Sequence, residues 1–190
     1  MQACNVWGVR ANNRTTILDA AIRVSARDGA ARLTLEATAD EAGLTRGGMT
    51  YHFRDRESLV RAMYEHLAAQ WEAQLAATAG TSAAEATQEE RTAAYITLAT
   101  TSATSAELEL IHATADDPAL HEPLDRVHER WTPSPEDAAR DSAIRQQFIA
   151  CLAADGLWSY DAMSSRPITS AFRAELTRQI ADLAKSVREA

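Results

Sequence analysis

Residues 34 to 59, TLEATADEAGLTRGGMTYHFRDRESL, constrain the fold more than any other stretch, because they combine three helix starts with one forced turn. Thr34, Thr45 and Asp55 each carry a side-chain oxygen able to accept from a first-turn amide that has no partner inside its helix. Gly43, in Ala42-Gly43-Leu44, can take the positive φ that ends a helix at little cost. The pattern predicts two short helices around a tight turn, followed by a long helix. In a helix-turn-helix of this layout the second helix lies in the major groove and presents its leading residues to base edges and phosphates.

Those leading residues are Thr45, Arg46, Gly47 and Gly48. A guanidinium such as that of Arg46 can bond guanine O6 and N7 bidentately, or a phosphate. The two glycines let the backbone approach DNA closely, and each weakens a short helix by roughly 1 kcal/mol relative to alanine. A recognition helix that is mobile without DNA is therefore expected.

The stretch resembles the N-terminal DNA-binding domain of the tetracycline-repressor (TetR) family through Ala42-Gly43-Leu44-Thr45, Tyr51-His52-Phe53 and Asp55-Arg56-Glu57-Ser58-Leu59. The resemblance implies that Thr45, Tyr51, His52 and Arg56 touch DNA, and that Met49 and Phe53 hold a small three-helix core. With the cap and the helix start added, the candidate DNA-contacting set is Thr34, Thr45, Arg46, Gly47, Gly48, Thr50, Tyr51, His52 and Arg56. Two positions depart from the family pattern. Thr38 replaces the usual Ile or Val, which predicts a looser core, and Thr50 stands where an aromatic is common.

A net charge of −8 looks wrong for a DNA binder until it is divided along the chain. Residues 1 to 65 carry 9 arginines against 8 acids, whereas residues 66 to 190 carry 10 basic side chains against 19 acids. Phosphates are neutralised locally, here by Arg10, Arg14, Arg46, Arg54 and Arg56, while the acidic remainder repels DNA. No apolar run reaches the roughly 18 residues of a membrane span, and the start lacks an apolar signal core, so a cytoplasmic protein is expected. Cys4 and Cys151 form no disulfide framework, and Cys151, in the apolar run FIACLAA, is expected to be a buried, inert thiol.

The whole chain reads as all-α. A first helix is expected over about 14–28, and a long one from the Asp55 cap to about 78, with Leu59, Met63, Leu67, Trp71 and Leu75 recurring every four residues along one stripe. Residues 79–90 read as a polar loop. Prolines and small polar residues then divide helices near 91–102, 105–114, 118–131, 136–162 and 167–188. Two domains follow: 1–58 as the DNA-binding unit, with 1–12 flexible, and 59–190 for ligand binding and dimerisation.

The last helix carries Ile168, Phe172, Leu176, Ile180, Leu183 and Val187 along one face, and the helix before it carries Ile144, Phe148, Leu152 and Trp158. So continuous an apolar face needs a partner. In the resembled family the last two helices of each subunit build a four-helix dimer interface, which implies a homodimer through Ile144, Trp158, Phe172, Leu176, Ile180 and Leu183. Two readers would then meet pseudo-palindromic half-sites.

Trp131-Thr132-Pro133, the run from Leu152 to Trp158 and Asp161 are similar to the C-terminal domain of a TetR subgroup of multidrug-binding efflux repressors. Candidate ligand-binding residues are Trp71, Tyr95, His112, Trp131, Phe148 and Leu152, with Trp71 and Trp131 as the preferred pair. Aromatic faces attract cations, and Asp116, Asp117 or Asp155 could neutralise one. Asp155 with Gly156 reads more readily as a helix bend or interface feature. His112, Asp116, Asp117, His121 and His128 lie near one another, yet two histidines seven residues apart make no metal site without further ligands. No nucleophile elbow, HExxH or phosphate-cradling loop is present, so no catalytic residue, metal or cofactor is assigned.

The expectation is a DNA-binding repressor released from a pseudo-palindromic operator by an aromatic or cationic inducer, controlling a multidrug efflux gene. Two alternatives stay open. One is a regulator of a metabolic operon answering to an acyl or other small metabolite, and the other is a helical interaction protein without DNA binding.

Overall fold

The computed structural model describes residues 6–101, 108, 110–111, 113 and 117–185, whose regular structure is all helical. Helix α1 (Val6–Asp28) is followed by a 3-10 turn (Ala30–Arg32), α2 (Leu35–Ala42), α3 (Arg46–His52) and α4 (Arg56–Ala79). The second half contains α5 (Gln88–Thr101), α6 (Pro118–Trp131), α7 (Pro135–Arg140), α8 (Ser142–Met163) and α9 (Ser170–Lys185). Among the described residues no helix is long and apolar enough to cross a membrane.

The capping chemistry of the opening stretch operates at all three starts. Thr34 Oγ1 accepts from Ala37 N at 3.0 Å, Thr45 Oγ1 from Gly48 N at 3.2 Å, and Asp55 Oδ1 from Ser58 N at 2.8 Å. Gly43 has φ 67° and closes α2 in the left-handed region. Met49 and Phe53 are buried with Ile17, Ala21 and Val24 of α1, which forms the small core under the reader. Glu41 fastens α2 to α1 through Arg23 and Arg27, and Asp19 joins α1 to α4 through His66 and Gln70.

Thr38 is fully buried, and its hydroxyl donates to Thr34 O at 2.8 Å. The polar atom that predicted a looser core therefore has a partner one turn back in its own helix.

Helix α4 has 24 residues and so spans about 36 Å. It packs on α1 at its reader end and on α5 and α6 farther along. One continuous apolar cluster runs from Ile17 and Met49 through Leu59, Met63 and Leu67 to Trp131 and Cys151. Helix α8 packs against α5, α7 and α9.

Three boundaries differ from the sequence expectation. Helix α1 begins at Val6, ahead of the start expected near Arg14. Adding turns to an existing helix costs little even without an apolar face, and the Ile17-Ala21-Val24 stripe marked only the packed part. The helix expected over 136–162 is broken: Asp141 is extended (φ −120°, ψ 127°), and its carboxylate caps α8 by accepting from Ala143 N and Ile144 N. Helix α5 starts at Gln88, inside the expected loop, because Thr87 and Glu90 cap each other's backbone amides, at 2.7 Å for Thr87 N to Glu90 Oε2 and 3.2 Å for Glu90 N to Thr87 Oγ1.

Candidate DNA-reading surface and ligand cavity

On α3, the Arg46 side chain is 84 % exposed and, among the described residues, pairs with Glu36 at 3.8 Å. Most of its guanidinium thus faces outward at the leading end of the helix. Tyr51 is 68 % exposed and stands edge-on to the His52 ring, 5.2 Å between centroids. Thr50 turns its hydroxyl back to Arg46 O and Gly47 O. A side chain at Gly47 would enter open space, whereas one at Gly48 would touch Thr45 Oγ1 at 3.4 Å. The oxygens of Thr34 and Thr45 face their own helix amides as caps.

Arg56 has a different situation. Its Nε donates to Leu33 O at 2.7 Å and its Nη2 to Ala30 O at 2.8 Å, across the turn before α2. In the free protein the guanidinium is a strut inside the reader. Arg14 lies over the Phe53 ring, 5.0 Å from its centroid, and Arg54 pairs with Asp55 at 3.0 Å. The side chain of Arg10 lies outside the described residues, as do Cys4, His112 and Asp116.

The second half holds an open cavity of about 300 Å³ between α4, α5, α6 and α8, with Leu108 and Ile111 also in its lining. Trp71 of α4, Tyr95 of α5 and Trp158 of α8 form its aromatic wall, with Trp71 centred 5.9 Å from Tyr95 and 6.4 Å from Trp158. The His128 ring meets Tyr95 edge-on at 5.4 Å. Asp155 lies among them, its Oδ1 accepting from the Tyr95 hydroxyl at 2.6 Å. Burial pushes the Asp155 carboxyl above the usual carboxylate range, while the Tyr95 hydroxyl and His128 act in the opposite sense. Burial, with Asp155 beside it, also raises the Tyr95 hydroxyl well above its ordinary value. The buried Cys151 thiol is pushed up to about 12 by burial and by Asp155.

Several sequence candidates move. Trp131 is fully buried outside the cavity lining, and its indole N–H donates to Glu72 Oε1 at 2.9 Å. Arg130 pairs with the same carboxylate. Glu72 is the neighbour of Trp71 on α4, so this clamp ties α6 to the helix that carries the cavity wall. Phe148 does not line the cavity either, and Leu152 is 55 % exposed. Trp158, expected at a dimer interface, is 7 % exposed and faces the cavity. Leu152 and Trp158 point to different sides of α8 because six residues turn an α-helix by about 240°. Asp117 caps α6 through the amides of Ala119 and Leu120, and Asp155, half-buried, lines the cavity. Among the described residues, no three His, Cys, Asp or Glu side chains gather as a metal site.

On the outer side of α8, Ile149, Leu152, Tyr160 and Met163 are exposed, with Gly156 between them open to solvent. They fall on one helix face. Phe172 of α9 is exposed as well, and no described residue of α9 is buried. Ile180 and Leu183 are partly covered by the chain's own core, Ile144 and Leu176 are half-buried, and Val187 lies outside the described residues. A second cavity, of about 600 Å³ between α5, α8 and α9, is lined by Ala93, Ile96, Ala143, Ala181, Glu89 and Lys185 among others and has no aromatic wall.

Residues 17–63 match the bacterial regulatory proteins of the tetR family, and residues 89–185 match the tetracyclin repressor-like C-terminal domain. Among solved structures, a protein of Streptomyces coelicolor described as a transcriptional regulator is 24 % identical, with a TM-score of 0.61 over 92 % of this chain and 99 % of that one. The multidrug binding protein EbrR complexed with malachite green is 24 % identical, with a TM-score of 0.60 over 88 % of this chain and 96 % of that one. A transcriptional regulator from Saccharomonospora viridis in complex with choline is 16 % identical, with a TM-score of 0.68 over 93 % and 97 % of the two chains. At such identities the likeness shows the shared fold. No match is found among curated proteins.

Proposed function

The chain belongs to the tetR family of bacterial transcriptional regulators, and we propose that within it the protein is a homodimeric repressor released from its operator by a small aromatic or cationic inducer, controlling a multidrug efflux gene. The observation that carries this reading is the position of the aromatic cavity on α4. Trp71 belongs to the same helix that Asp55 caps beside the reader, so a ligand against Trp71 presses on an element continuous with α3's support. Arg46, Tyr51 and the backbone at Gly47 would face the major groove. The α8 stripe of Ile149, Leu152, Gly156, Tyr160 and Met163, with Phe172 of α9, would join two copies.

Release requires that the ligand bind one dimer conformation better than the other; tight binding alone shifts nothing. The cavity supports a flat or positively charged ligand because its walls are ring faces and the half-buried Asp155 is turned into it with no described arginine or lysine among the lining. EbrR with malachite green and the choline complex are consistent with that class.

The test is titration of the protein bound to DNA from upstream of its own gene, with cationic dyes in one series and acyl-CoA compounds in the other. Cationic dyes are expected to release the DNA. Release by the acyl compounds alone would move the regulator to a metabolic operon, and failure to footprint that DNA would end the repressor reading.

A further inference from the structure

Among the described residues two carboxyls line the aromatic cavity: Asp125 is more than half exposed, whereas Asp155 is half-buried and turned inward. Its only hydrogen bond among the described side chains comes from Tyr95, a neutral donor, at 2.6 Å. On the other elements around it, α6 contributes His121, Asp125 and His128, and α4 contributes Trp71 with Glu72 just beyond it. Asp125 pairs with His121 at 3.2 Å, His128 Nδ1 lies 3.3 Å from Thr132 Oγ1, and Glu72 is engaged by Arg130 and Trp131. On its own helix the nearest titratable group is the Cys151 thiol; Leu108 and Ile111 close the wall with apolar surface, and no lining side chain comes from α9. Among the described residues no arginine or lysine lines this cavity.

We propose that Asp155 makes the cavity selective for ligands of fixed positive charge by exchanging its proton for the ligand's charge. With the cavity empty, the neutral carboxyl is the form that a low-polarity, aromatic surrounding favours. When a quaternary ammonium group enters, the carboxyl ionises, its proton leaves to solvent, and the new carboxylate faces the cation while Tyr95 keeps its hydrogen bond. One positive charge enters and one departs, so the net charge of the site is conserved. Burial already holds this carboxyl above the ordinary carboxylate range. The proposal rests on the cavity being the inducer site, and it adds what that site selects for.

The sign follows from linkage. On the acid side the protein holds the proton, so binding a cation must release it and affinity rises with pH, by up to about tenfold per unit, until the carboxyl is already ionised and the curve flattens. A neutral ligand of the same shape has no such slope.

The experiment is calorimetric titration of the full chain with choline and with its uncharged carbon isostere, 3,3-dimethylbutan-1-ol, between about pH 5 and pH 8, in buffers of different ionisation enthalpy. Choline should release a proton at the acid end, and the release should decline toward the alkaline end. The isostere should release none. Asp155→Asn should abolish the release and weaken choline at least about tenfold at the alkaline end, and Tyr95→Phe, which removes the donor that favours the carboxylate, should move the release to higher pH. Choline binding without proton release at any pH overturns the exchange and leaves the cavity reading standing. Release that persists in Asp155→Asn would come from another group and equally overturns it. If neither compound binds, the cavity reading and the exchange fall together.

Discussion

Arg46 and Arg56 flank the same short helix in opposite surroundings, and that difference separates DNA affinity from stability. Arg46→Ala should weaken operator binding by about 1–3 kcal/mol if it reads a base, or lower the salt slope by about one if it holds a phosphate, with the melting temperature unchanged. Arg56→Ala removes two hydrogen bonds to carbonyls and should cost about 1–3 kcal/mol of stability. Thermal melts of the two variants beside a binding isotherm check both statements. Thr38→Val should leave the melt within about 1 kcal/mol of the wild type, because Thr34 O keeps the Thr38 amide at 3.1 Å after the hydroxyl is gone. A pH effect belongs to Asp155. A carboxyl raised on folding contributes stability that is fully present below its unfolded value of about 4 and lost as pH rises through the folded one. Asp155→Asn, which keeps an acceptor for Tyr95, should therefore melt progressively higher than the wild type as pH rises from that value, and a gap that shrinks with pH would contradict the burial argument. None of these distinctions could be read from spacing. Arg56 has the same motif environment whether it touches phosphate or Leu33 O, and only the three-dimensional turn decides.

At the scale of elements, α3 is held less by its own residues than by its caps and by Met49. Gly47→Ala, at a position with open space around it, should stabilise the helix by about 1 kcal/mol. If the backbone there approaches DNA closely, the same change should weaken operator binding, a combination visible by hydrogen exchange and a binding isotherm. The Glu72 clamp is the corresponding device in the second half. Glu72→Ala leaves the Trp131 indole N–H buried without a partner, which should cost about 1–3 kcal/mol, or roughly 2–4 °C of melting temperature per kcal/mol in a chain of this size. Helix starts were legible wherever a capping side chain stood before an apolar period, as at Thr34, Thr45 and Asp55. The Thr87–Glu90 box carried the same signal, hidden in a run of acidic and small residues that reads as loop. The break at Asp141 escaped because no glycine or proline marks it. Its carboxylate ends one helix and starts the next by hydrogen bonding alone.

For the whole molecule, a charge of −8 with arginines gathered at one end agrees with a regulator whose DNA grip is local. The α8 face of Ile149, Leu152, Tyr160 and Met163 should be buried between two copies. Leu152→Glu with Phe172→Glu is expected to shift sedimentation at micromolar concentration from dimer to monomer and to abolish operator binding while leaving helix content intact. The family and the all-α fold were legible from three short motifs near the reader, because cap and turn chemistry is local. The cavity was half legible. Trp71 and Tyr95 line it, whereas Trp131 and Leu152 do not, because the phase of a helix relative to its neighbours is set by packing.

The central claim is that one ligand in this cavity, acting through α4, empties the DNA surface. It is tested most directly by the affinity for the protein's own upstream DNA measured with and without malachite green, for the wild type and for Trp71→Ala. The account predicts at least about a tenfold loss of affinity in the wild type, within the usual range of allosteric coupling, and little change in Trp71→Ala, which also shows that the dye does not simply strip the DNA. Equal release of both proteins, or no effect of the dye on either, would contradict it.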